Sequence, residues 1–329
     1  MIQQVSVLLE GCLRQQPTVK NNKENKMTGT FTGGISFTGG ITFSLGPTAK
    51  KAIFGYGVGA GGVLSMTNLV SDTGVVATDT TGVGTARYTL AAAGYGTDKA
   101  IFGYGSGNSS ITNLVSNTGT VATDTAGVGT ARNSLAAAGY GTDKAIFGYG
   151  TVSAGNQSMT NLVSNTGVVA TDTTGVGTVR YVLAAAGYGT DKAIFGYGAN
   201  GPAVSVTNLV SNTGVVASDT TGVGTAREAL AAAGYGTDKA IFGYGYATPS
   251  ARSITNLVSN TGVVASDTAG VGTARYYLAA AGYGTDTAIF GYGNGDKSMT
   301  NLVSNTGVVA TDTTGVGTGR YALAAAAYG

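Results

Sequence analysis

One aspartate and one arginine recur in each of six repeats of this sequence, as Asp172 and Arg180 do in ATDTTGVGTVR. A carboxylate can act as a general base, and a guanidinium can bind an anion. The chain has no histidine, which excludes His-based triads and His-zinc or His-copper sites. A pair copied six times is more typical of a turn-forming or ion-pair device than of six active sites. We therefore expect a protein that is not an enzyme.

Cofactor motifs are weak throughout the chain. GVGTAR and GYGTDK lack the third glycine and the strand-loop-helix context of a nucleotide loop. Each DTTG loop offers one carboxylate, whereas Ca²⁺ needs several oxygen ligands. We expect no metal and no cofactor.

The repeats themselves indicate which elements position these residues. AIFGYG begins at residues 52, 100, 145, 193, 240 and 288, and each copy is followed within a few residues by TNL. The segments between these two words, which we call the inserts, never repeat. They read VGAGGVLSM, SGNSSI, TVSAGNQSM, ANGPAVSV, YATPSARSI and NGDKSM.

A single unit, residues 183–227, reads as four short strands. Its apolar runs are rich in Val, Ile, Phe and Tyr, and each run is bounded by Gly, Asn, Asp or Thr. GTDK and SNTG have the composition of compact turns. The unit is therefore predicted to be a four-stranded antiparallel meander.

Repeats of about 45 residues with four strands match the blades of β-propellers. Arg180, Leu183, AAAGYG and AIFGYG resemble a kelch repeat, although the chain lacks a Gly-Gly pair after the second strand and has no Trp. The resemblance covers residues 48–329 and implies an all-β, six-bladed propeller of 24 strands. The repeats start at a second strand (52–57) and end at a first strand (323–329), so we expect both to share one blade and close the ring.

Charge and hydropathy limit the classes of partner that the chain can have. The net charge of +2 arises within residues 1–26, and the remaining charges cancel, which argues against nucleic acid. No segment reaches the ~18 apolar residues of a membrane span, and we find no secretory signal. Cys12 is the only cysteine, so no intramolecular disulfide is possible.

Strand parity predicts where the variation lies. In a four-stranded meander the inserts and the variable residues between the repeated Arg and Leu fall on one face, while GTDK and SNTG fall on the other. One-sided variation favours a recognition surface on a rigid scaffold, and simple tolerance of loop change is the alternative. The predicted binding residues are Leu64, Tyr88, Asn108, Ser109, Asn156, Gln157, Tyr181, Asn200, Glu228, Tyr246, Arg252, Tyr276, Tyr277, Asp296, Lys297 and Tyr321.

Tyr, Asn, Ser and Gly dominate this face, a mixture that also serves antibody loops. We expect a surface glycan or a receptor protein as partner. The repeats behind a Gly/Thr-rich leader also resemble accessory proteins of tailed phages, such as tail or head fibres, which implies a virion or extracellular location. A structural or decoration propeller is the alternative, and a carbohydrate-active enzyme is a more distant one.

The leader differs from the repeats. Residues 1–26 are expected to be flexible, and residues 27–47 contain FTGGI twice with alternating apolar residues, which predicts two or three short strands. Such strands are marginal alone. We therefore expect residues 28–46 to attach to a virion or to a second copy of the chain, with packing on the propeller as the alternative.

Overall fold

The computed structural model describes residues 26–27, 41–42 and 49–329, and the chain divides into two units, Met1–Pro47 and Thr48–Gly329. In the first unit, β1 (Lys26–Met27) pairs antiparallel with β2 (Ile41–Thr42). The other expectations for the leader, including the flexibility of residues 1–26, fall outside the described residues.

The second unit is built from short antiparallel strands. Its strands are β3 (Lys51–Gly59), β4 (Gly62–Val70), β5 (Ala91–Tyr95), β6 (Lys99–Gly105), β7 (Ser109–Val115), β8 (Ala136–Tyr140), β9 (Lys144–Gly148), β10 (Thr151–Val152), β11 (Gly155–Asn156), β12 (Thr160–Val163), β13 (Ala184–Tyr188), β14 (Lys192–Gly196), β15 (Thr207–Val210), β16 (Ala231–Tyr235), β17 (Lys239–Gly243), β18 (Tyr246–Ala247), β19 (Ser250–Ala251), β20 (Thr255–Val258), β21 (Ala279–Tyr283), β22 (Thr287–Gly293), β23 (Lys297–Val303) and β24 (Ala324–Tyr328). No helix occurs among the described residues.

Six three-stranded sheets contain most of these strands. In chain order of their second strands they are sheet I (β24-β3-β4), sheet II (β5-β6-β7), sheet III (β8-β9-β12), sheet IV (β13-β14-β15), sheet V (β16-β17-β20) and sheet VI (β21-β22-β23). The pairs β10-β11 and β18-β19 are small hairpins within two inserts. The predicted all-β class is confirmed for this unit, and its many small antiparallel sheets are compatible with a propeller.

Sheet I combines the two ends of the repeat region. Ala325 of β24 lies opposite Phe54 of β3, in the same register as Ala185 and Phe195 within sheet IV. The first strands of the six sheets also contact one another in the order β24, β5, β8, β13, β16, β21 and again β24. Alanine and glycine in these strands permit such close approach.

The turns after the first strands are linked in the same order. Gly96 donates its backbone N–H to the carbonyl of Asp143 at 2.7 Å, and the equivalent bonds continue from sheet to sheet. Gly284 of sheet VI bonds to Lys50 beside sheet I, and Gly329 of sheet I bonds to Asp98 of sheet II at 2.8 Å. One glycine N–H thus donates across each of the six junctions at this end of the first strands, and Lys50 adds a seventh bond by donating back to the carbonyl of Gly284.

The fourth segment of each unit differs from the predicted strand. In sheet IV it meets β15 through two isolated bridges, Thr207 with Thr220 and Val210 with Val216. Between them the Asn208 side chain donates to the carbonyl of Ala217 at 3.0 Å. Side-chain hydrogen bonds of this kind compete with a regular ladder. The expectation of four regular strands in every unit is therefore wrong, and the fourth is an irregular segment.

Each repeat arginine is buried between two sheets. The guanidinium of Arg227 donates from Nε to the Tyr244 carbonyl at 2.8 Å and from Nη2 to Asn256 at 2.6 Å. Its Cζ lies 4.4 Å from the ring centroid of Tyr197 in the preceding sheet, a cation-π contact. The arginine therefore holds its own sheet against its neighbour. The repeat arginines are Arg87, Arg132, Arg180, Arg227, Arg275 and Arg320.

Each repeat aspartate anchors the segment that leads into its own sheet. Asp267 accepts hydrogen bonds from the backbone N–H and Oγ1 of Thr225 and from the Asn256 side chain. Burial alone would raise the pKa of Asp267, but these hydrogen bonds and the nearby Arg227 outweigh it and lower the pKa. Arg227 Nη1 remains 3.9 Å from the carboxylate, so the pair acts mainly through Thr and Asn. The repeat aspartates are Asp79, Asp124, Asp172, Asp219, Asp267 and Asp312.

Aromatic pairs fill the space between sheets. The rings of Tyr197 and Phe242 lie 5.1 Å apart at 61°, and the same pairing occurs at all six junctions. Gly196 is required beside this pair, because a Cβ there would lie 2.7 Å from Cζ of Phe242. The packing of one sheet on the next thus explains why the sequence motif Phe-Gly-Tyr is repeated in every unit.

Candidate functional site

The inserts and the variable residues before each first strand form one connected surface, which we call the insert face. In sheet V, Glu228 and Tyr246 exchange backbone hydrogen bonds at 3.0 and 2.8 Å. Tyr181 and Ala199 do the same in sheet IV at 3.0 Å. Equivalent insert contacts involve Tyr88, Asn133, Tyr276 and Tyr321. The GTDK and SNTG turns lie at the other ends of the strands.

A closed series of backbone hydrogen bonds lies at the centre of this face. Its six residues, which we call the inner ring, are Thr89, Ser134, Val182, Ala229, Tyr277 and Ala322. Each donates its N–H to the carbonyl of the equivalent residue in the neighbouring unit at 2.8 Å, and Thr89 completes the series by donating to Ala322.

All inner-ring residues have positive φ angles, between 45° and 55°. None is a glycine, so each pays the steric penalty of the left-handed region. The six hydrogen bonds and the packed leucines that follow compensate for this strain. A cavity of about 70 Å³ lies here, lined by the inner ring and by Leu90, Leu135, Leu183, Leu230, Leu278 and Leu323.

Four of the predicted tyrosines lie in one chain of ring contacts. The Tyr276 centroid is 5.4 Å from the Tyr246 centroid and 5.4 Å from that of Tyr277, and Tyr277 lies 6.3 Å from Tyr321. Tilted and edge-on geometries of this kind are favourable for aromatic pairs. Residues from three units are thereby gathered on one side of the axis.

Glu228 adjoins this cluster, because its backbone exchanges two hydrogen bonds with that of Tyr246. Burial raises the pKa of the Glu228 carboxyl. Burial also raises the pKa of Tyr277, with further contributions from Glu228 and from the hydroxyls of Tyr181, Tyr276 and Tyr321. Tyr181 and Tyr276 pack with Tyr277 against the buried Val182, Ala199 and Ala229. The carboxylate therefore lies within electrostatic reach of the tyrosines.

Polar side chains connect the inserts on the other side. Asn133 donates to Asn108 at 2.8 Å, and Asn108 donates to the hydroxyl of Ser153 in the next insert at 3.0 Å. Asn156 similarly donates to Asn200 at 3.3 Å. The predicted residues Asn108, Asn156 and Asn200 are thus partly occupied in joining neighbouring inserts.

The remaining predicted residues stay outside both clusters. Leu64 lies opposite Gly57 in the first insert, Gln157 donates to Gly155 of its own insert, and Ser109 Oγ accepts from the Ile111 N–H. Asp296 occupies the turn before Lys297, which pairs with Gly293. Tyr88 is 37% exposed, and the buried Nε of Arg252 has no hydrogen-bond partner among the described residues.

The variable positions between the repeated Arg and Leu include the whole inner ring, but the predicted binding residues include only Tyr277 of it and omit Asn133 and Ser153. The variability of positions 88–89 and their equivalents marked the location, but the backbone conformation there has no sequence signature. Positive φ at Thr, Ser, Val and Ala is unusual. The contact between Asn108 and Ser153 joins two inserts of unrelated sequence, so neither insert predicts it alone.

Other kinds of site find little support in the described part of the chain. Residues 49–329, with the two strands before them, contain no group of three or more Asp, Glu, Cys or His that could hold a metal ion. None of these residues forms a helix long and apolar enough to cross a bilayer. No protein-family model matches the chain, and no curated protein is significantly similar to it.

Proposed function

We propose that residues 48–329 form a closed six-bladed propeller that acts as a non-catalytic binding protein through the insert face. The observation that carries this proposal is that both variable sets of residues meet in one surface around the inner ring. The GTDK and SNTG turns at the opposite ends of the strands have nearly the same sequence in every unit. Variation on one side of a rigid scaffold is typical of recognition.

Closure is supported by three features. Sheet I is made from both ends of the repeat region, and the first strands contact one another in cyclic order. Two series of six interblade hydrogen bonds run in that same order. Deleting residues 321–329 would remove β24 and expose the edge of β3, so we expect aggregation. An unchanged melting temperature for the deletion variant would contradict closure.

The proposed partner is a glycan or a receptor protein on a cell surface. The protein itself would be carried by a virion or another extracellular particle. Tyrosine offers a large contact area at low entropic cost, and asparagine and serine adapt their hydrogen bonds. The proposal is non-catalytic because each repeat aspartate and arginine is already engaged in holding its sheet. The resemblance to kelch repeats and to phage fibre proteins supports the same role.

Exchanging the inserts tests the role of the face. A variant in which every insert is replaced by SGNSSI should fold but lose binding in a glycan array and in a whole-cell assay. A matched control exchanges the SDTG turn of residues 71–74 for SNTG, the form found in the other units, and should bind normally. Retained binding by the insert variant would refute the proposed site. Absence of binding by the wild type would instead favour a structural or decoration role.

We also propose that residues 28–46 attach the protein to a virion or to a second copy. The support is the alternation of apolar and polar residues in this segment, together with β2 within it, which pairs with β1 just before it. Light scattering should give an oligomeric mass for the full chain and a monomeric mass for a chain without residues 1–46. If both chains are monomers, self-association is excluded and only attachment to another protein is left.

A further inference from the structure

We propose that the tyrosine cluster around Glu228 binds an organic ammonium group. This inference rests on the proposed function of the insert face and names the chemistry of one part of it. The shared feature of the ligand is a cationic nitrogen bearing alkyl groups or protons. It can come from a quaternary ammonium decoration on a surface polymer or from a primary amine such as a lysine side chain.

The first argument is the placement of the aromatic rings. Tyr277 belongs to the inner ring and lies beside Tyr276 and Tyr321, with centroid distances of 5.4 and 6.3 Å. Tyr181 approaches from the other side, on the shared base of Val182, Ala199 and Ala229. These tyrosines are only partly buried, so ring surface remains open to solvent. The faces of aromatic rings carry negative electrostatic potential and attract cations.

The second argument is the uncompensated charge. Glu228 is partly buried, and within residues 49–329 no lysine or arginine nitrogen lies within 4.0 Å of its carboxylate. Its backbone is fixed by the two hydrogen bonds with Tyr246. A partly desolvated carboxylate normally has a cationic or hydrogen-bonding partner. The direction of its pKa shift agrees with burial as the main influence.

The third argument is the contrast across the face. The inserts on the opposite side of the axis are joined by neutral contacts among Asn108, Asn133 and Ser153. The tyrosine side combines several rings with the carboxylate of Glu228. The inserts on this side also carry Arg252, Asp296 and Lys297, but within residues 49–329 neither basic side chain forms an ion pair with Glu228, so this carboxylate can still complement a cation. An anionic ligand would be repelled by Glu228, and a neutral ligand would leave the carboxylate unpaired.

Titration calorimetry on the full chain tests the inference with defined probes. Choline and n-butylammonium represent the quaternary and primary sources, and 3,3-dimethylbutan-1-ol is the neutral analogue of choline. We expect at least one ammonium probe to bind at least tenfold more tightly than the neutral analogue. Tighter binding of choline would assign a quaternary ligand, and tighter binding of n-butylammonium a primary amine. Equal affinity for the neutral analogue would refute the inference.

Matched variants locate the site. Glu228→Gln keeps the side-chain shape and should lower the affinity for the ammonium probe at least tenfold. Asp72→Asn removes one negative charge from the opposite face and restores the residue of the other units, so it should have no effect. Tyr277→Phe keeps the aromatic ring and should bind, whereas Tyr277→Leu should not. Equal effects of Glu228→Gln and Asp72→Asn would show a general charge effect and overturn the proposal.

This outcome can be separated from that of the proposed function. If exchange of the inserts abolishes cell binding but no ammonium probe binds the wild type, only the present inference fails. If an ammonium probe binds through Glu228 while exchange of the inserts leaves cell binding intact, the proposed recognition role of the inserts fails instead. Melting temperatures of all variants establish that each one is folded.

Discussion

Replacing Asp79 with alanine tests whether the first and last repeats are joined in solution. Asp79 accepts hydrogen bonds from the backbone N–H of Thr318 at 2.9 Å, from its Oγ1 at 2.7 Å and from the Asn68 side chain at 2.9 Å. Thr318 is 239 residues away in the chain. Asp172 makes the same contacts with Thr130 and Asn161, but Thr130 is only 42 residues away. The two aspartates form a matched pair.

The expected loss can be estimated from these contacts. A hydrogen bond to a charged group contributes about 1.5–3 kcal/mol when it is well shielded. The Asp79 side chain is 29% exposed and that of Asp172 31%, so water partly replaces the lost partners. We therefore take about 1 kcal/mol for each of the three donors, or about 3 kcal/mol in total. For a domain of this size that corresponds to a fall in Tm of about 6 °C.

Scanning calorimetry at pH 7 measures the effect. In a closed ring that unfolds as one unit, Asp79→Ala and Asp172→Ala should lower Tm equally. In an open array, Thr318 would not reach Asp79. Asp79→Ala would then lose only the hydrogen bond from Asn68, about 1 kcal/mol or about 2 °C in Tm. An effect of Asp172→Ala near 6 °C with only about 2 °C or less for Asp79→Ala would refute the reasoning. Asp72→Asn controls for the loss of one negative charge.

Three further predictions concern the scaffold. Gly196→Ala should lower the free energy of unfolding by about 1–3 kcal/mol in denaturant titration, because the new methyl group meets the ring of Phe242, and an unchanged midpoint would contradict this packing. Arg227→Lys should destabilise more than Arg180→Lys in the same assay, since Arg180 Nε lacks the hydrogen bond that Arg227 Nε makes, and equal losses would count against that difference. In a pH series, stability should fall below about pH 4, because hydrogen bonding lowers the pKa of the repeat aspartates and the unfolded chain takes up protons first. Stability should also fall between about pH 10 and 12, because burial raises the pKa of three tyrosines to about 12 and the unfolded chain loses those protons first; a flat profile there would refute the burial argument for Tyr149, Tyr244 and Tyr292.

The strands were predictable because their signals are local. AIFG and AAAGY, which reads AAAAY in β24, are short apolar runs bounded by glycine and turn residues, and both form strands in every unit. The fourth segment was not predictable in the same way. Its Val and Thr residues suit a strand, but the side chain of Asn208 donates a hydrogen bond to the carbonyl of Ala217. That contact spans two segments and decides the local geometry.

The candidate site was predictable in location but not in arrangement. Strand parity indicated that Tyr276 and Tyr321 belong to one surface, because it depends only on the number of strands between them. Their meeting with Tyr277 depends on the angle between neighbouring units and on the left-handed backbone of the inner ring. Both are properties of the assembled sheets. In the sequence Glu228 is one of the predicted binding residues of the variable face, whereas in the structure it is partly buried and its backbone exchanges two hydrogen bonds with Tyr246.

The register of β24 on β3 matches that of the corresponding strands in the other sheets, so the break in the chain has no special position in the architecture. Linking Gly329 to Ala49 and reopening the backbone at one of the GTDK turns would give a permuted polypeptide of residues 49–329 with the same strand pairing. The order of the six inserts therefore follows the cyclic order of the strand contacts rather than the linear order of the chain. Loops far apart in the gene, such as those beginning at Val58 and Asn294, are as adjacent as any consecutive pair.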